Sequence, residues 1–108
     1  MAVTYSIVIS LKPGAADAFL ALLDPVLDAM REEHGFINAV LHQDPADTDR
    51  FMIYETWADE RDVAEVQMGR PYRKPFWDGL PALLREPRAV SAWQPLRADF
   101  RHVPVANR

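Results

Sequence analysis

The sequence predicts an α+β protein in the order β-α-β-β-α-β, the split βαβ or ferredoxin-like arrangement with a four-stranded antiparallel sheet. Three observations carry this. Val3 to Leu11 alternates large apolar with small polar residues, the period-two mark of a strand. Phe51 to Trp57 is dense in β-branched and aromatic types and runs straight into Asp59, a residue suited to cap a helix. Between them, Ala15, Phe19, Leu22, Leu23, Val26 and Met30 recur at spacings of three and four, giving one apolar helical stripe.

Taken in order, the first strand puts Tyr5, Ile7, Ile9 and Leu11 on one face and Thr4, Ser6, Val8 and Ser10 on the other. Lys12-Pro13-Gly14 is a turn, since Pro presets φ and Gly permits a left-handed residue. A helix follows over Ala15 to Glu33. Pro25 removes one backbone hydrogen bond and predicts a kink near Ala21 to Asp24, and Gly35 reads as the C′ residue that ends the helix. Phe36 to Gln43 is the second strand, with Phe36, Asn38, Val40 and His42 on one face. A moderately long polar turn over Asp44 to Asp49 then returns the chain antiparallel into the third strand. That strand carries Phe51, Ile53, Glu55 and Trp57 on one side and Met52, Tyr54 and Thr56 on the other.

Asp59 starts a short helix that ends near Gly69, and Pro71 opens another through Tyr72, Phe76 and Trp77 to Leu80. Pro81 is expected to restart a last turn over Ala82 to Leu84. Arg88 to Leu96 is the fourth strand. Residues 1–97 read as one domain and residues 98–108 as a C-terminal tail. Both sheet faces bear large side chains and the helices can cover only one. A face-to-face homodimer is the economical cover for the other.

Composition narrows the function classes. With 108 residues there is room for one core, and 49% hydrophobic content supports a packed domain. A net charge of −4 leaves no electrostatic footprint for nucleic acid. The lack of cysteine excludes disulfides, thiolate metal sites and cysteine catalysis. No stretch approaches the roughly 20 apolar residues that span a membrane, and no leader precedes the first strand, so a cytoplasmic protein is expected. The spacing of His34, His42 and His102 matches no metal motif.

The element order, the strand end Tyr54-Glu55-Thr56-Trp57 with its acidic helix start, and Met68-Gly69-Arg70-Pro71-Tyr72-Arg73-Lys74-Pro75-Phe76 resemble the antibiotic biosynthesis monooxygenase family. The resemblance runs over about residues 3 to 96. It implies a dimeric α+β barrel in which each subunit holds a pocket between its own sheet and its helices. Some members oxidise polyphenols or quinols with molecular oxygen and no metal or flavin; others degrade haem, isomerise, or bind small metabolites. Where many members place His, this chain has Gln67 and Tyr72. Where the haem-degrading branch has Asn, Trp and His, it has Ile7, Gln67 and Trp77, so the haem reading loses its axial ligand and both helpers.

Among candidate site residues, His42 is a half-buried imidazole able to take a phenolic proton, set against a strand-end His satisfied by backbone or water. His34 reads as a helix-end cation and His102 as a solvated tail residue. Trp57, Tyr72, Phe76, Trp77 and Trp93 could line a flat pocket for a planar ring, although Trp57 and Phe76 read more readily as core. Glu55, alone among bulky neighbours, needs a partner such as Arg73, Arg88 or a group across the dimer. Arg70, Arg73 and Lys74 cluster at a helix start and could attract an anion. The resulting expectation is a cofactor-independent monooxygenase acting on an electron-rich aromatic, with His42 as base, Tyr72 as donor, and Trp57, Trp77, Trp93 and Arg73 holding the substrate. The alternatives are a dimeric small-metabolite binding module without chemistry, and an isomerase on a small cyclic acid.

Overall fold

The computed structural model describes Met1–Arg101, in which β1 (Val3–Ser10), α1 (Ala16–Met30), β2 (Phe36–Asp44), β3 (Asp47–Trp57), α2 (Glu60–Glu65), α3 (Lys74–Leu83) and β4 (Ala89–Trp93) follow one another. Single 3₁₀ turns at Gln67–Gly69 and Pro71–Arg73 join α2 to α3. The tail expected over residues 98–108 is thus described only to Arg101, and His102 lies outside the described residues. The strands form one antiparallel sheet in the order β2-β3-β1-β4. Among the described residues no helix is long and apolar enough to cross a membrane.

Period two in β1 and β3 decides what lies under the helices. Val3, Ile9, Phe51, Ile53 and Trp57 are buried and meet Phe19, Leu23, Val26 and Met30 of α1 and Phe76 and Leu80 of α3. Phe19 packs on Phe51 with ring centroids 5.1 Å apart and on Phe76 at 6.3 Å, tying the two helices to the central strand. The opposite face carries Thr4, Ser6, Val8, Met52 and Tyr54, and no element of the described chain covers it.

Four local expectations change. The β2–β3 turn is short: Asp44 pairs with Asp47, leaving Pro45 and Ala46 as a two-residue connection. Asp44 Oδ1 accepts from the Ala46 amide at 2.8 Å, and Asp47 Oδ1 from the Asp49 amide at 3.0 Å, so these polar residues close the hairpin instead of forming a loop. Gly35 is not a left-handed cap. Helix α1 ends at Met30, Gly14 alone among the described residues has positive φ (80°), and the Gly35 carbonyl accepts from the Ala58 amide at 2.8 Å. Helix α3 runs through Pro81 without restarting, because Pro81 lies near its C-terminal end. The fourth strand stops at Trp93, three residues before the expected Leu96. The Asp59 cap forms as read, its side chain accepting from the Arg61 amide at 3.0 Å.

Candidate functional site

A cavity of about 380 Å³ lies between the sheet and the helices. Its floor is the helix-facing row of the sheet, with Tyr5, Ile7 and Ile9 from β1, Ile53 and Glu55 from β3, and Val90 from β4. Leu23, Val26, Leu27 and Met30 of α1 form one wall; Phe76 and Trp77 of α3 form the other. Met68 and Val90, both exposed, are also in its lining. The lining is almost entirely apolar, and its charged groups are Glu55, Arg73 and Arg88.

Glu55 is there because alternation along β3 gives it the same side as Ile53 and Trp57, directly opposite Tyr5 on β1. Trp57 Nε1 donates to Glu55 Oε1 at 3.1 Å. Burial pushes the Glu55 carboxyl above its usual range, opposed by the Trp57 hydrogen bond and then by the charges of Arg73 and Arg88. The expected arginine neighbours of Glu55 are therefore both present. Tyr5 is likewise raised, first by burial and then by the negative charges of Glu60 and Glu55.

Arg73 arrives from the 3₁₀ turn that Pro71 opens, with its amide bonded to the Arg70 carbonyl at 3.0 Å. A polar cluster fixes that turn. Arg70 Nε pairs with Glu33 Oε1 at 3.1 Å, and Gln67 Nε2 donates to Glu33 Oε2 at 3.1 Å and Asp62 Oδ2 at 3.2 Å. Gln67's hydrogen bond chiefly holds the Glu33 carboxyl below its usual range. Gln67 is thus a structural tie between α2 and the segment that follows α1. The Arg73 guanidinium lies 5.9 Å from the Trp57 ring centroid and 5.4 Å from that of Tyr72. Arg88 lies over Trp77 at 4.7 Å.

The residues singled out in the sequence fall into two groups. Arg73 and Trp77 line the cavity; Trp57 is fully buried beneath it and touches it through Glu55 and Arg73; Tyr72 stands behind Arg73. His42 and Trp93 lie elsewhere. His42 pairs with Met52 on the open face, its Nδ1 donating to the Met52 carbonyl at 3.2 Å and its ring 5.8 Å from Tyr54. A register shift between Phe36 and Asn38 separates His42 from Phe36, whose ring instead meets Trp57 at 5.4 Å on the helix side. Trp93 pairs with Thr4, so it too faces away from the cavity, 62% exposed. Glu55, expected from the sequence to sit in an interface or core ion pair, lies in the cavity lining, where its hydrogen bond comes from Trp57. Among the described residues no group of three or more His, Asp or Glu could hold a metal ion.

Comparison with known proteins is consistent with this architecture. The family model for antibiotic biosynthesis monooxygenases matches residues 2–73, two thirds of the chain. Rv0793 from Mycobacterium tuberculosis superposes with a TM-score of 0.81 at 23% identity, covering 91% of this chain and 98% of that one. PA3566 from Pseudomonas aeruginosa superposes at 0.78 with 27% identity, covering 89% and 95%. A variant of SnoaB, a cofactor-independent oxygenase from Streptomyces nogalater, superposes at 0.76 with 16% identity over 90% and 95%. The uncharacterized protein sll1783 of Synechocystis is 26% identical over 86 residues, which are 80% of this chain and 58% of that relative.

Proposed function

This chain belongs to the antibiotic biosynthesis monooxygenase family, and we propose that it is a cofactor-independent monooxygenase acting on an electron-rich phenol or hydroquinone held in the sheet–helix cavity. The observation that carries the reading is the half-buried Glu55 carboxyl in an apolar cavity, with an indole N–H on one oxygen and two guanidinium groups nearby. A carboxylate whose proton affinity is raised by burial is a better base for a phenol than an ordinary surface carboxylate. Glu55 takes the phenolic proton, and Arg73 stabilises the phenolate and the negative charge that moves to oxygen.

The chemistry closes without a further reductant. The phenolate passes one electron to molecular oxygen, and the radical pair combines at a hydrogen-bearing ring carbon ortho or para to the hydroxyl, forming a C–O bond. Loss of that carbon's hydrogen and cleavage of the O–O bond release one water, which leaves the second oxygen atom as a quinone carbonyl. Glu55 returns the proton it took to the departing hydroxide. The apolar walls exclude bulk water from the intermediates.

Two related readings complete the proposal. Because His42 stands on the opposite face, the role of base passes from His42 to Glu55, and Tyr72 supports Arg73 instead of meeting the substrate. The uncovered face, with Val8, Met52, Tyr54 and the exposed Trp93, is the surface on which a second copy would dock to give a homodimer. The test is oxygen uptake with a panel of naphthols and hydroquinones in the presence of chelator. Uptake that survives chelator and His42→Ala but falls in Glu55→Gln supports the reading. Uptake lost in His42→Ala and kept in Glu55→Gln refutes the assignment of the base. No uptake above the uncatalysed rate leaves the cavity as the site of a binding module.

A further inference from the structure

Arg88 is a cavity cation without a counter-charge in contact. Among the described residues its guanidinium forms no hydrogen bond and no ion pair, whereas Arg50, Arg70 and Arg85 each meet a carboxylate. Its companion is the ring of Trp77, with the centroid 4.7 Å away. An aromatic face attracts a cation without accepting its N–H groups, so the contact steadies the guanidinium and leaves its donors unspent.

Arg73, the other cation of the lining, differs on the decisive point. Its Nε and Nη2 are closed off from solvent, so it acts from within the wall, where its charge weighs more on Glu55 than that of Arg88 does. Arg88 is only half-buried, and none of its nitrogens is closed off in that way. With Arg73 set against Glu55, Arg88 is a surplus positive charge that a molecule in the cavity can reach.

The lining also divides into a wet part and a dry part. Arg88 and Val90 of the lining both reach solvent, so an ion held there keeps some of its hydration. Ile9, Leu23, Val26, Met30 and Ile53 of the same lining are all buried and offer only hydrocarbon. A molecule matched to both parts has one charged end and an apolar body. A cavity of about 150 Å³ takes the six carbons of benzene, so one of about 380 Å³ takes a chain of eight to ten carbons with room for its bends.

We propose that the cavity binds a monocarboxylic acid with a flexible apolar chain, the carboxylate meeting the N–H groups of Arg88 and the chain lying on the buried aliphatic lining. A guanidinium edge meets both oxygens of a carboxylate at once. A chain of single bonds can follow the uneven wall that branched side chains make. The inference needs the cavity to admit small molecules but does not need the oxygen chemistry. A bound acid fills the space assigned to the phenol, so the two compete.

The test is titration calorimetry on the full chain at neutral pH with octanoate against 1-octanol and decanoate against 1-decanol, pairs that differ only in the head group. Each acid is expected to bind about tenfold more tightly than its alcohol, the return from one bidentate charged contact. Decanoate should bind about tenfold more tightly than octanoate, because each buried methylene contributes about fourfold. Arg88→Gln and Arg88→Met should bring each acid to within about twofold of its alcohol while leaving alcohol affinity in place, and Arg88→Lys, which keeps the charge but not the edge, should retain part of the preference. Arg97→Gln, an exposed arginine beyond β4, should change neither affinity. Equal affinity of acid and alcohol for the wild-type protein overturns the inference and leaves the cavity open to neutral ligands. A preference for the acid that survives in both Arg88→Gln and Arg88→Met also overturns it. So does failure of acids and alcohols alike to bind, and oxygen uptake with the phenol panel then decides separately whether the proposed function stands.

Discussion

The Trp57 indole is the most direct handle on the Glu55 carboxyl. Trp57→Phe keeps an aromatic ring against Phe36 but deletes the Nε1 donor 3.1 Å from Glu55 Oε1. Its cost has two parts. Lost packing at a fully buried site is the same at every pH. The lost hydrogen bond is not: about 1.5–3 kcal/mol when Glu55 is ionised, and about 0.5–1.5 kcal/mol when it is protonated and neutral. The linkage has a definite sign. The Trp57 bond lowers a carboxyl pKa that burial has raised, so the variant's folded-state pKa moves further up. The folded variant then holds its proton to higher pH than the unfolded chain does, and stability falls as pH rises through that interval. Urea melts of wild type and variant at about pH 4 and about pH 9 should show a destabilisation larger at the alkaline end by about 1 kcal/mol, or about 4–8 °C in midpoint temperature for a domain of this size. The alkaline-going shift should also appear in the acid limb of the oxygen-uptake profile. A destabilisation independent of pH would show that Glu55 does not feel the indole and would remove the basis for treating it as a tuned base.

Three further outcomes follow from the same geometry. Glu55→Gln replaces a half-buried carboxyl by a neutral isostere; because the raised pKa makes ionisation cost stability above the unfolded-state value, the variant should gain on wild type as pH rises, while losing oxygen uptake, and equal pH dependence of the two melts would contradict this. Asp59→Ala removes the side-chain cap of α2 and should cost about 1 kcal/mol in urea melts; no loss would mean that the cap contributes nothing at this junction. His42→Ala changes an exposed side chain on the face opposite the cavity and should leave naphthol affinity within about twofold of wild type, whereas a tenfold loss would place the ligand elsewhere.

The strand and helix order was legible because each element keeps its own period. β1 alternates from Val3 to Ile7, β3 buries Phe51, Ile53 and Trp57 on one side, and the α1 stripe from Phe19 to Met30 is unbroken by Pro25. The Asp59 cap was legible for the same local reason. What a single chain does not encode locally is which face of a strand meets the helices. Alternation puts His42 with Asn38 and Val40, but only the pairing of His42 with Met52 puts that row on the open side. Trp93 escaped in the same way, through its pairing with Thr4. The hairpin was hidden by composition: Asp44, Asp47 and Asp49 look like loop residues, and the side chains of Asp44 and Asp47 satisfy backbone amides within and just beyond the two-residue turn. Glu55 and Arg73 were both visible as charged residues in apolar company. Their convergence on one cavity depends on the turn at Pro71–Arg73 folding back over the end of β3, a tertiary fact.

The sheet order has a consequence for the sequence of events in folding. β2 and β3 are joined by two residues, so their hairpin closes at small entropic cost and can form early. β4 instead pairs Ala89 with Val8 and Trp93 with Thr4, contacts that span most of the chain and close its largest loop. Arg88 and Val90 belong to that last-joining segment and line the cavity, so the site acquires its final wall only when the far end of the chain docks. With every residue of β4 exposed, its detachment is also the least costly local opening of the sheet. Amide exchange along β4 should therefore outrun exchange in β1 and β3, and a ligand that bridges Arg88 to the floor should slow it. Entry to the cavity and the first step of unfolding would then share one motion.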